Sequence, residues 1–441
     1  MIQKPKGTYD VLKEKGRKIL YLEKVMATLM ENYHYQYVRT PIFEASELFH
    51  RGVGEATDIV TKETYDFQDR GKRAMTLRPE GTAGVVRSFI ENKCYGEASQ
   101  PVKTWYYGPM FRYERPQSGR FREFYQFGVE VFGSNDAMLD AEVISIPVNF
   151  YRLLGLKGIK VSINSLGDNE SRKQYRKALL DYFRPHLKEL CADCQARFET
   201  NPLRILDCKI DAEQEIMKQA PKMEDYLNEA SKSHFEQVKR YLEAMGIEYI
   251  VNPKLVRGLD YYTYTVFEVE ASVEGFGSQN VLCGGGRYNN LVETIGGPST
   301  PGVGFAMGME RLLTALEYEQ IKLEDDETLD VYVIPVADAQ KENACALTQA
   351  LRLSGFQVDT DYMNRNIKGN FKASNRYHAK YVVIIGEEEV ATKVLTVKDN
   401  QTKEEYKVPL EDLIDFLDQA EAECDCGGDC HCHESSHHHE A

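Results

Sequence analysis

The sequence predicts an α+β protein in which an antiparallel sheet flanked by helices carries a helical insertion and is followed by a smaller α/β domain. Three observations support this class. Strand-like runs rich in aromatic and β-branched residues lie on both sides of a long polar helical stretch, and strand and helix patterns alternate only near the end of the chain. The chain of 441 residues is also longer than one hydrophobic core usually serves, so we expect more than one domain.

The first part of the chain combines a helix with several strands. Apolar residues at helical spacing predict an amphipathic helix over residues 17–33, and Pro41 then marks a strand edge or the start of a strand. Strand patterns follow at residues 102–113, 121–132, 160–164 and 263–273. The first two of these runs predict a hairpin, because the loop between them holds the Pro and Gly that turns use.

Changes of pattern along the chain predict the domain organisation. Residues 169–246 are polar and helical, which indicates an insertion within a first domain of residues 1–325. The charged stretch 318–330 is typical of a linker, and residues 330–418 then predict a small α/β domain with a mainly parallel sheet. Residues 421–441 show no packing periodicity, so we expect a disordered tail rich in Cys and His.

Composition and charge exclude several classes of protein. No run approaches the roughly 18 apolar residues that cross a bilayer, and the first residues lack the apolar core of an export signal. We therefore expect a cytoplasmic protein with no membrane partner and with its ten cysteines reduced. The net charge of −15 argues against a protein that coats nucleic acid non-specifically, but it is compatible with a local contact.

The second strand of the predicted hairpin has one apolar and one polar face. Side chains alternate along a strand, so Phe127 and Val129 point to the core. Gln126 and Glu130 lie on the opposite face, which Arg112 of the first strand shares. Half-exposed sheet faces are common, and the hairpin alone is equally consistent with ordinary surface.

Several segments together resemble the motifs of one enzyme family. The hairpin stretch FRYERPQSGRFREFYQFGVEVFG is similar to motif 2 of the class II aminoacyl-tRNA synthetases, GVGFAMGMERLL to motif 3, and YVRTPIFEASELF to the dimer-forming motif 1. Within that class, LVRGLDYYTYTVFEV and VLCGGGRYNNLV resemble the two signatures of histidyl-tRNA synthetases, and TLRPEGTAG resembles their amino-acid-binding loop. The resemblance extends from about Pro5 to about Phe416.

The resemblance implies a fold, a reaction and partners. The first domain would be the class II antiparallel sheet, and the α/β domain would bind the anticodon. The enzyme would be an ATP-dependent ligase that activates L-histidine as histidyl-adenylate and transfers it to tRNA(His), releasing pyrophosphate and AMP. ATP would enter with Mg²⁺ as its substrate complex, with no tightly bound cofactor, and the chain would form a homodimer.

The family assigns the phosphate contacts to three arginines. The histidine carboxylate attacks the α-phosphorus of ATP, so two anions must meet and fixed cations stabilise the growing charge. By resemblance, Arg112 and Arg257 approach the α-phosphate from two sides and Arg311 holds the γ-phosphate. The planar guanidinium suits this task because it binds phosphate oxygens in a bidentate manner.

The resemblance also implies a histidine pocket with two kinds of contact. Glu80, Thr82 and Gln126 would bind the α-ammonium group. Glu130 and Tyr262 would bind the imidazole. The full set of histidine-binding candidates is Glu80, Gly81, Thr82, Gln126, Glu130, Tyr261, Tyr262 and Tyr288.

Two basic segments are candidates for tRNA contacts. The family's motif 2 loop reaches the acceptor end of the tRNA, which implies this role for Arg115, Gln117 and Arg120; the alternative is that they are solvated turn residues. The stretch 364–381 would support tRNA docking, although by itself it is an ordinary solvated helix face. Its basic residues are Arg365, Lys368, Lys372, Arg376 and Lys380.

Two groups of cysteines are candidate metal ligands. Cys191, Cys194 and Cys208 offer three thiolates for zinc, but the sequence shows no evident fourth ligand, His186 is only a candidate, and the alternative is a set of reduced cysteines. The tail concentrates ligands for zinc or another soft metal, with a tail without function as the alternative. The tail candidates are Cys424, Cys426, Cys430, Cys432, His431 and His433.

One rival function comes from a different class. A catalytically inert paralogue senses histidine as the regulatory subunit of ATP phosphoribosyltransferase, and such paralogues generally lack the anticodon domain and part of the arginine set. Here Arg112, Arg257 and Arg311 are all present, as are Glu80 and Glu130, and the C-terminal domain follows. The sequence therefore favours the enzyme.

Overall fold

The computed structural model describes most of the chain. The described residues are 1–54, 57, 59–115, 119–206, 208, 210–259, 261–272, 280–323 and 328–425, with side chains as far as residue 419. The chain divides into two compact units, Met1–Leu323 and Glu324–Ala441. Among the described residues, no helix is both long enough and apolar enough to cross a membrane.

The first unit is built on a large, mainly antiparallel sheet. The strands of this unit are β1 (Gln36–Tyr37), β2 (Phe43–Ala45), β3 (Tyr65–Gln68), β4 (Ala74–Leu77), β5 (Val102–Phe111), β6 (Glu123–Phe132), β7 (Ile159–Ser165), β8 (Ile250–Val251), β9 (Thr263–Ala271), β10 (Val281–Arg287) and β11 (Gly302–Gly308). Eight of them form one sheet in the order β1-β5-β6-β11-β10-β9-β7-β8, in which only the two edge pairs are parallel. β2, β4 and β3 form a separate small sheet. The predicted hairpin is the antiparallel pair β5 and β6.

Helices cover the sheet and build the insertion. They are α1 (Lys13–Asn32), α2 (Ser46–Val53), α3 (Thr82–Glu91), α4 (Ala137–Leu153), α5 (Asn169–Phe183), α6 (Ala192–Arg197), α7 (Glu215–Lys218), α8 (Glu229–Ala244), α9 (Leu291–Ile295) and α10 (Met309–Tyr318). Residues from α1, α4, α8 and α10 share the main hydrophobic core with β6, β7, β9 and β11. The helices α5 to α8 lie between β7 and β8, in the stretch predicted to be a helical insertion.

The insertion shares a second core with the loop that precedes β9. This core joins Leu203, Leu206 and Cys208 of the insertion to Leu255 and Val256. The insertion is therefore packed onto the first unit through apolar contacts and does not form a core of its own.

The second unit is a five-stranded sheet with helices. Its elements are β12 (Val331–Pro335), α11 (Lys341–Leu353), β13 (Val358–Thr360), α12 (Ile367–Arg376), β14 (Tyr381–Ile385), α13 (Glu387–Thr392), β15 (Val394–Asp399), β16 (Glu405–Pro409) and α14 (Leu413–Asp425). β13, β12 and β14 are parallel, whereas β15 and β16 are antiparallel additions. The parallel arrangement predicted for this domain is found in its first three strands and does not extend to these two. The connections that lead into them are shorter than the dozen or so residues that a parallel crossover needs.

Candidate active site

A cleft opens on the face of the large sheet that points away from the main core. Along β6, Phe127 and Val129 are buried in that core, whereas Gln126 and Glu130 alternate with them and line the cleft. β10, β11 and the first turn of α10 complete the wall, and the cleft has a volume of about 970 Å³ with its solvent-filled mouth included. The predicted alternation therefore places both polar side chains in one cavity.

Glu130 forms the floor of the cleft and is 1% exposed. Its carboxyl group accepts hydrogen bonds from the Thr82 hydroxyl at 2.6 Å, from the Tyr106 hydroxyl at 3.4 Å and from the Tyr288 hydroxyl. Burial raises the pKa of Glu130 to about 8, because these hydrogen bonds only partly offset the loss of water. The group can thus carry a proton near neutral pH.

Glu80 holds the first turn of α3. Its two carboxylate oxygens accept the backbone N–H groups of Thr82 at 2.7 Å and Ala83 at 2.8 Å. These are helix-terminal donors that lack a partner within the helix. Burial raises the pKa of Glu80. Glu80 therefore fixes the position of Thr82, whose hydroxyl reaches Glu130.

Gln126 presents an unsatisfied acceptor to the cleft. Its Oε1 atom is buried and has no hydrogen-bond partner within the described part of the chain. A buried polar atom left in this state costs about 1–3 kcal/mol. A ligand with a hydrogen-bond donor, such as an ammonium group, would remove that cost.

Three tyrosines form one side wall. The ring centroid of Tyr261 lies 4.7 Å from that of Tyr262 and 5.6 Å from that of Tyr288. Burial raises the pKa of Tyr262 to about 12 and raises that of Tyr288 well above its ordinary value, so both hydroxyls stay protonated and can donate hydrogen bonds. The wall is thus aromatic with polar tips, which suits a flat ring with nitrogen atoms.

Three arginines from distant parts of the chain line the same cleft. Arg112 follows β5 and its Nε donates to the Pro79 carbonyl at 2.8 Å. Arg311 lies in the first turn of α10, where its Nη1 donates to the Val281 carbonyl at 2.8 Å. Burial and the nearby guanidinium of Arg120 lower the pKa of Arg311. Clustered cations of this kind repel one another and would be stabilised by a bound polyanion.

The third arginine, Arg257, lies across β10. Its Nη1 pairs with the Glu268 carboxylate of β9, and its buried Nε has no partner within the described residues. Burial opposes its charge, but the Glu268 carboxylate and the neighbouring Tyr262 and Tyr261 side chains act together against this effect, and the pKa of Arg257 is raised. A Cβ atom on Gly284 would lie 2.2 Å from Arg257 Nη2. The glycine at this position therefore makes room for a guanidinium group.

Models of protein families match both units. A histidyl-tRNA synthetase model matches residues 7–312, and an anticodon-binding domain model matches residues 330–420. The chain belongs to the histidyl-tRNA synthetase family. The predicted family and the predicted α+β class are confirmed.

Relatives in this family resemble the chain over nearly its whole length. It is 55% identical over 415 residues to histidine–tRNA ligase of Anoxybacillus flavithermus, an alignment that covers 94% of this chain and 98% of that one. It is 50% identical over 413 residues to histidine–tRNA ligase of Bacillus subtilis, covering 94% and 97%. The structure resembles apo S. aureus histidyl-tRNA synthetase with a TM-score of 0.82 at 44% identity, covering 95% of this chain and 100% of that one.

The loop after β5 brings one predicted tRNA-contacting arginine into the cleft. Arg120 Nη1 lies 3.3 Å from Glu114 Oε2, and Arg112 Nη1 lies 3.9 Å from Glu114 Oε1. Arg120 therefore lines the cleft beside Arg112, whereas Arg115 is exposed. Gln117 lies outside the described residues.

Sequence reasoning missed several carboxylates of this histidyl-tRNA synthetase family member. Glu114 bridges two arginines, Glu268 pairs with Arg257, and Glu310 lines the cleft beside Arg311. Glu310 accepts a hydrogen bond from the Tyr9 hydroxyl at 2.6 Å. Each of the three lies near an arginine in sequence or on an adjacent strand, and this proximity was the available signal.

The remaining predicted residues belong to other elements of the chain. Arg365 pairs with Asp361 at 2.7 Å and Lys380 with Asp330 at 2.9 Å, while Lys368, Lys372 and Arg376 belong to α12 in the second unit. His186 Nδ1 lies 3.0 Å from Glu189 Oε1. Cys424 belongs to α14, but its side chain is outside the described set, as are all residues from Cys426 onward.

Proposed function

We propose that this chain is a histidine–tRNA ligase that converts L-histidine and ATP to histidyl-adenylate and pyrophosphate, and then transfers histidine to tRNA(His) with release of AMP. One observation carries the proposal. A buried carboxyl group, Glu130, and three arginines line a single cleft in a member of this family. The cleft thus combines a pocket for a small polar amino acid with a site for a polyphosphate.

Adenylate formation is assigned to the three arginines. The histidine carboxylate forms a bond to the α-phosphorus as the bond to pyrophosphate breaks. Arg112 and Arg257 neutralise the α-phosphoryl oxygens, and Arg311 holds the outer phosphates of the ATP–Mg²⁺ substrate complex. Burial and repulsion by nearby arginines lower the pKa of Arg311, and a bound triphosphate would relieve that repulsion, which supports this assignment.

Histidine recognition is assigned to the floor and wall of the cleft. The Glu130 carboxyl and the Tyr262 hydroxyl bind the two imidazole nitrogens, with Tyr261 and Tyr288 packed against the ring. The substrate ammonium group is bound by the Gln126 oxygen together with Glu80, Gly81 and Thr82. Analogues without ring nitrogens would lose the ligand hydrogen bonds to the buried Glu130 and to Tyr262, so they should be strongly rejected.

Contacts to tRNA and a partner subunit complete the proposal. The first domain, residues 1–325 with its insertion at 169–246, performs the chemistry, and residues 330–418 bind the anticodon. Arg115, Gln117 and Arg120 approach the acceptor end. The enzyme acts as a homodimer in the cytoplasm.

Histidine-dependent exchange of pyrophosphate into ATP tests the first step. The purified, folded chain should catalyse exchange, and Arg257→Ala should lower it by about 100-fold or more, as expected for the loss of one transition-state contact. Arg115→Ala is the matched control: exchange should be unchanged, while charging of tRNA(His) should fall. Absence of exchange from folded wild-type protein would contradict the proposal and leave the histidine-sensing paralogue as the better account.

A further inference from the structure

Three cysteines and one aspartate of the insertion converge at a single point outside the active-site cleft. They are Cys191, Cys194, Cys208 and Asp211, and their ligand atoms all lie within 4.8 Å of one another. In sequence they form two pairs, each separated by two residues: Cys191 with Cys194 and Cys208 with Asp211. Two such half-sites joined by a short segment are the pattern that builds tetrahedral zinc sites.

The thiol spacing fits a shared metal ion. At a Zn–S distance of roughly 2.3 Å, two sulfur atoms of a tetrahedral site lie about 3.8 Å apart. The Sγ atoms of Cys191 and Cys208 are separated by 3.7 Å. A disulfide would require about 2.05 Å and would use only two of the four groups.

Asp211 supplies the fourth ligand that the sequence did not reveal. It is 1% exposed, and its described hydrogen-bond partners are uncharged: the backbone N–H of Cys191 at 3.1 Å and the Gln214 side-chain amide at 2.9 Å. Hydrogen bonds from the three thiols and the Cys191 N–H outweigh burial and lower the pKa of Asp211, so the group is a carboxylate, and a divalent ion would add the opposite charge that these uncharged partners lack. His186, the earlier candidate, is instead paired with Glu189.

Backbone donors around the cluster match those of a metal site. The Asp211 N–H donates to Cys208 Sγ at 3.5 Å, while the Cys191 N–H orients the Asp211 carboxylate. Such contacts fix the ligands and spread the negative charge of bound thiolates. The first of these hydrogen bonds lies within the second half-site, and the other one joins the two half-sites.

We propose that Cys191, Cys194, Cys208 and Asp211 form a structural zinc site. Binding of Zn²⁺ would displace one proton from each thiol, and all four positions would be taken by protein ligands, which leaves no open position for catalysis.

The site would position the loop that carries Arg257. The segment between the two half-sites holds Leu203 and Arg204. Leu203 packs in the same core as Val256, and Arg204 Nη1 donates to the Gly258 carbonyl at 3.2 Å. Zinc would therefore hold the insertion residues that contact Val256 and Gly258, the neighbours of Arg257 in the chain. The metal site itself does not depend on the proposed enzymatic function.

Metal content of the full-length chain tests the proposal. The background protein carries Ser at Cys424, Cys426, Cys430 and Cys432 and Ala at His431, His433, His437, His438 and His439, so that the tail cannot contribute ligands. Elemental analysis should find about one zinc per chain. With cobalt in place of zinc, the protein should show sulfur-to-metal charge-transfer bands and the d–d bands of a tetrahedral site.

Matched variants assign the ligands. Asp211→Asn should weaken zinc binding by at least about tenfold, whereas Asp193→Asn, an exposed neighbour, should not change it. Asp211→Cys should retain the zinc, as a fourth thiolate is a preferred ligand. Cys194→Ser should abolish binding and Cys345→Ser should not. If Cys194→Ser does not fold, the comparison of Asp211→Asn with Asp193→Asn and the cobalt spectrum still test the proposal.

Three results would overturn the proposal. The background protein could contain no zinc and, once unfolded, six titratable thiols, which would indicate a reduced cluster. Its mass could be lower by two hydrogens without zinc, which would indicate a disulfide. Zinc could also remain at full stoichiometry in Asp211→Asn and Cys194→Ser, which would place the metal elsewhere. Pyrophosphate exchange is measured separately, so none of these results depends on the proposed function.

Discussion

The Thr82 hydroxyl donates a 2.6 Å hydrogen bond to the Glu130 carboxyl group, although the two residues are 48 positions apart in the chain. The bond joins the first turn of α3 to the middle of β6 and closes the floor of the cleft. Glu80 accepts the Thr82 N–H at 2.7 Å and so holds the donor in place. The floor of the proposed histidine pocket is therefore a buried hydrogen-bond network that is formed without a ligand.

Glu130 should make the stability of the free enzyme fall as the pH rises. Its folded pKa of about 8 exceeds the ordinary value of 4.5, so the folded state binds more protons than the unfolded state between these limits. The free energy of unfolding should decrease across this window, by on the order of a few kcal/mol in total. Glu130→Gln should remove this dependence in urea unfolding from pH 5 to pH 9. The exposed Glu317→Gln should leave it intact, and parallel curves for both variants would refute the assignment.

Replacement of Gln126 should stabilise the ligand-free protein and weaken its binding of histidine. Gln126→Met removes a buried unsatisfied oxygen and should raise the free energy of unfolding of the ligand-free protein by about 1 kcal/mol. The same change should raise KM for histidine at least about tenfold, because a ligand contact is lost. Gln174→Met, on an exposed part of α5, should change neither quantity. Unfolding curves and exchange kinetics measure both, and an unchanged KM would exclude Gln126 from the pocket.

Gly284 should be essential for the position of Arg257. In Gly284→Ala the new Cβ would meet the guanidinium at 2.2 Å, and Glu268 restricts how far Arg257 can move. Exchange activity should fall by about 100-fold, the scale set by loss of one transition-state contact. Gly96→Ala is the control, since nothing lies within 4 Å of a Cβ there. Circular dichroism would verify folding, and equal activity of the two variants would contradict the geometry.

The buried pair of Asp140 and Arg287 should stabilise the first unit. Both side chains are 0% exposed, and His234 Nε2 also lies 3.2 Å from the Asp140 carboxylate. Burial opposes the Asp140 charge, but Arg287 and His234 together outweigh this effect and lower the pKa of Asp140. The stabilisation is therefore present above the ordinary pKa near 3.8 and is lost as the pH falls below it.

Removal of one partner from that pair gives a direct test. Arg287→Met should lower the free energy of unfolding at pH 7 by about 3–5 kcal/mol, because it strands a buried carboxylate. Arg51→Met, which breaks the exposed pair with Glu47, should cost less than about 1 kcal/mol. Urea unfolding at pH 7 compares the two. A loss at Arg287 no larger than at Arg51 would show that the pair does not stabilise the fold.

Local patterns of the sequence predicted much of the cleft. Alternation along β6 separated Gln126 and Glu130 from Phe127 and Val129, because the period of two is a property of the strand itself. Helical spacing likewise predicted the first helix over residues 17–33, and the structure has Lys13–Asn32. The motif resemblance predicted the family, the α+β class and the enzyme, and these predictions are confirmed.

The sequence by itself determined the periodic faces, the order of elements and the kinds of side chain available. Only the tertiary structure decided which of them meet: the Thr82 hydroxyl with Glu130, Arg257 above Gly284, and Asp211 with three cysteines. It also decided that β15 and β16 are antiparallel. Strand register and the packing of an insertion fix distances between residues far apart in the chain, and the spacing of residues along one sequence does not encode those distances.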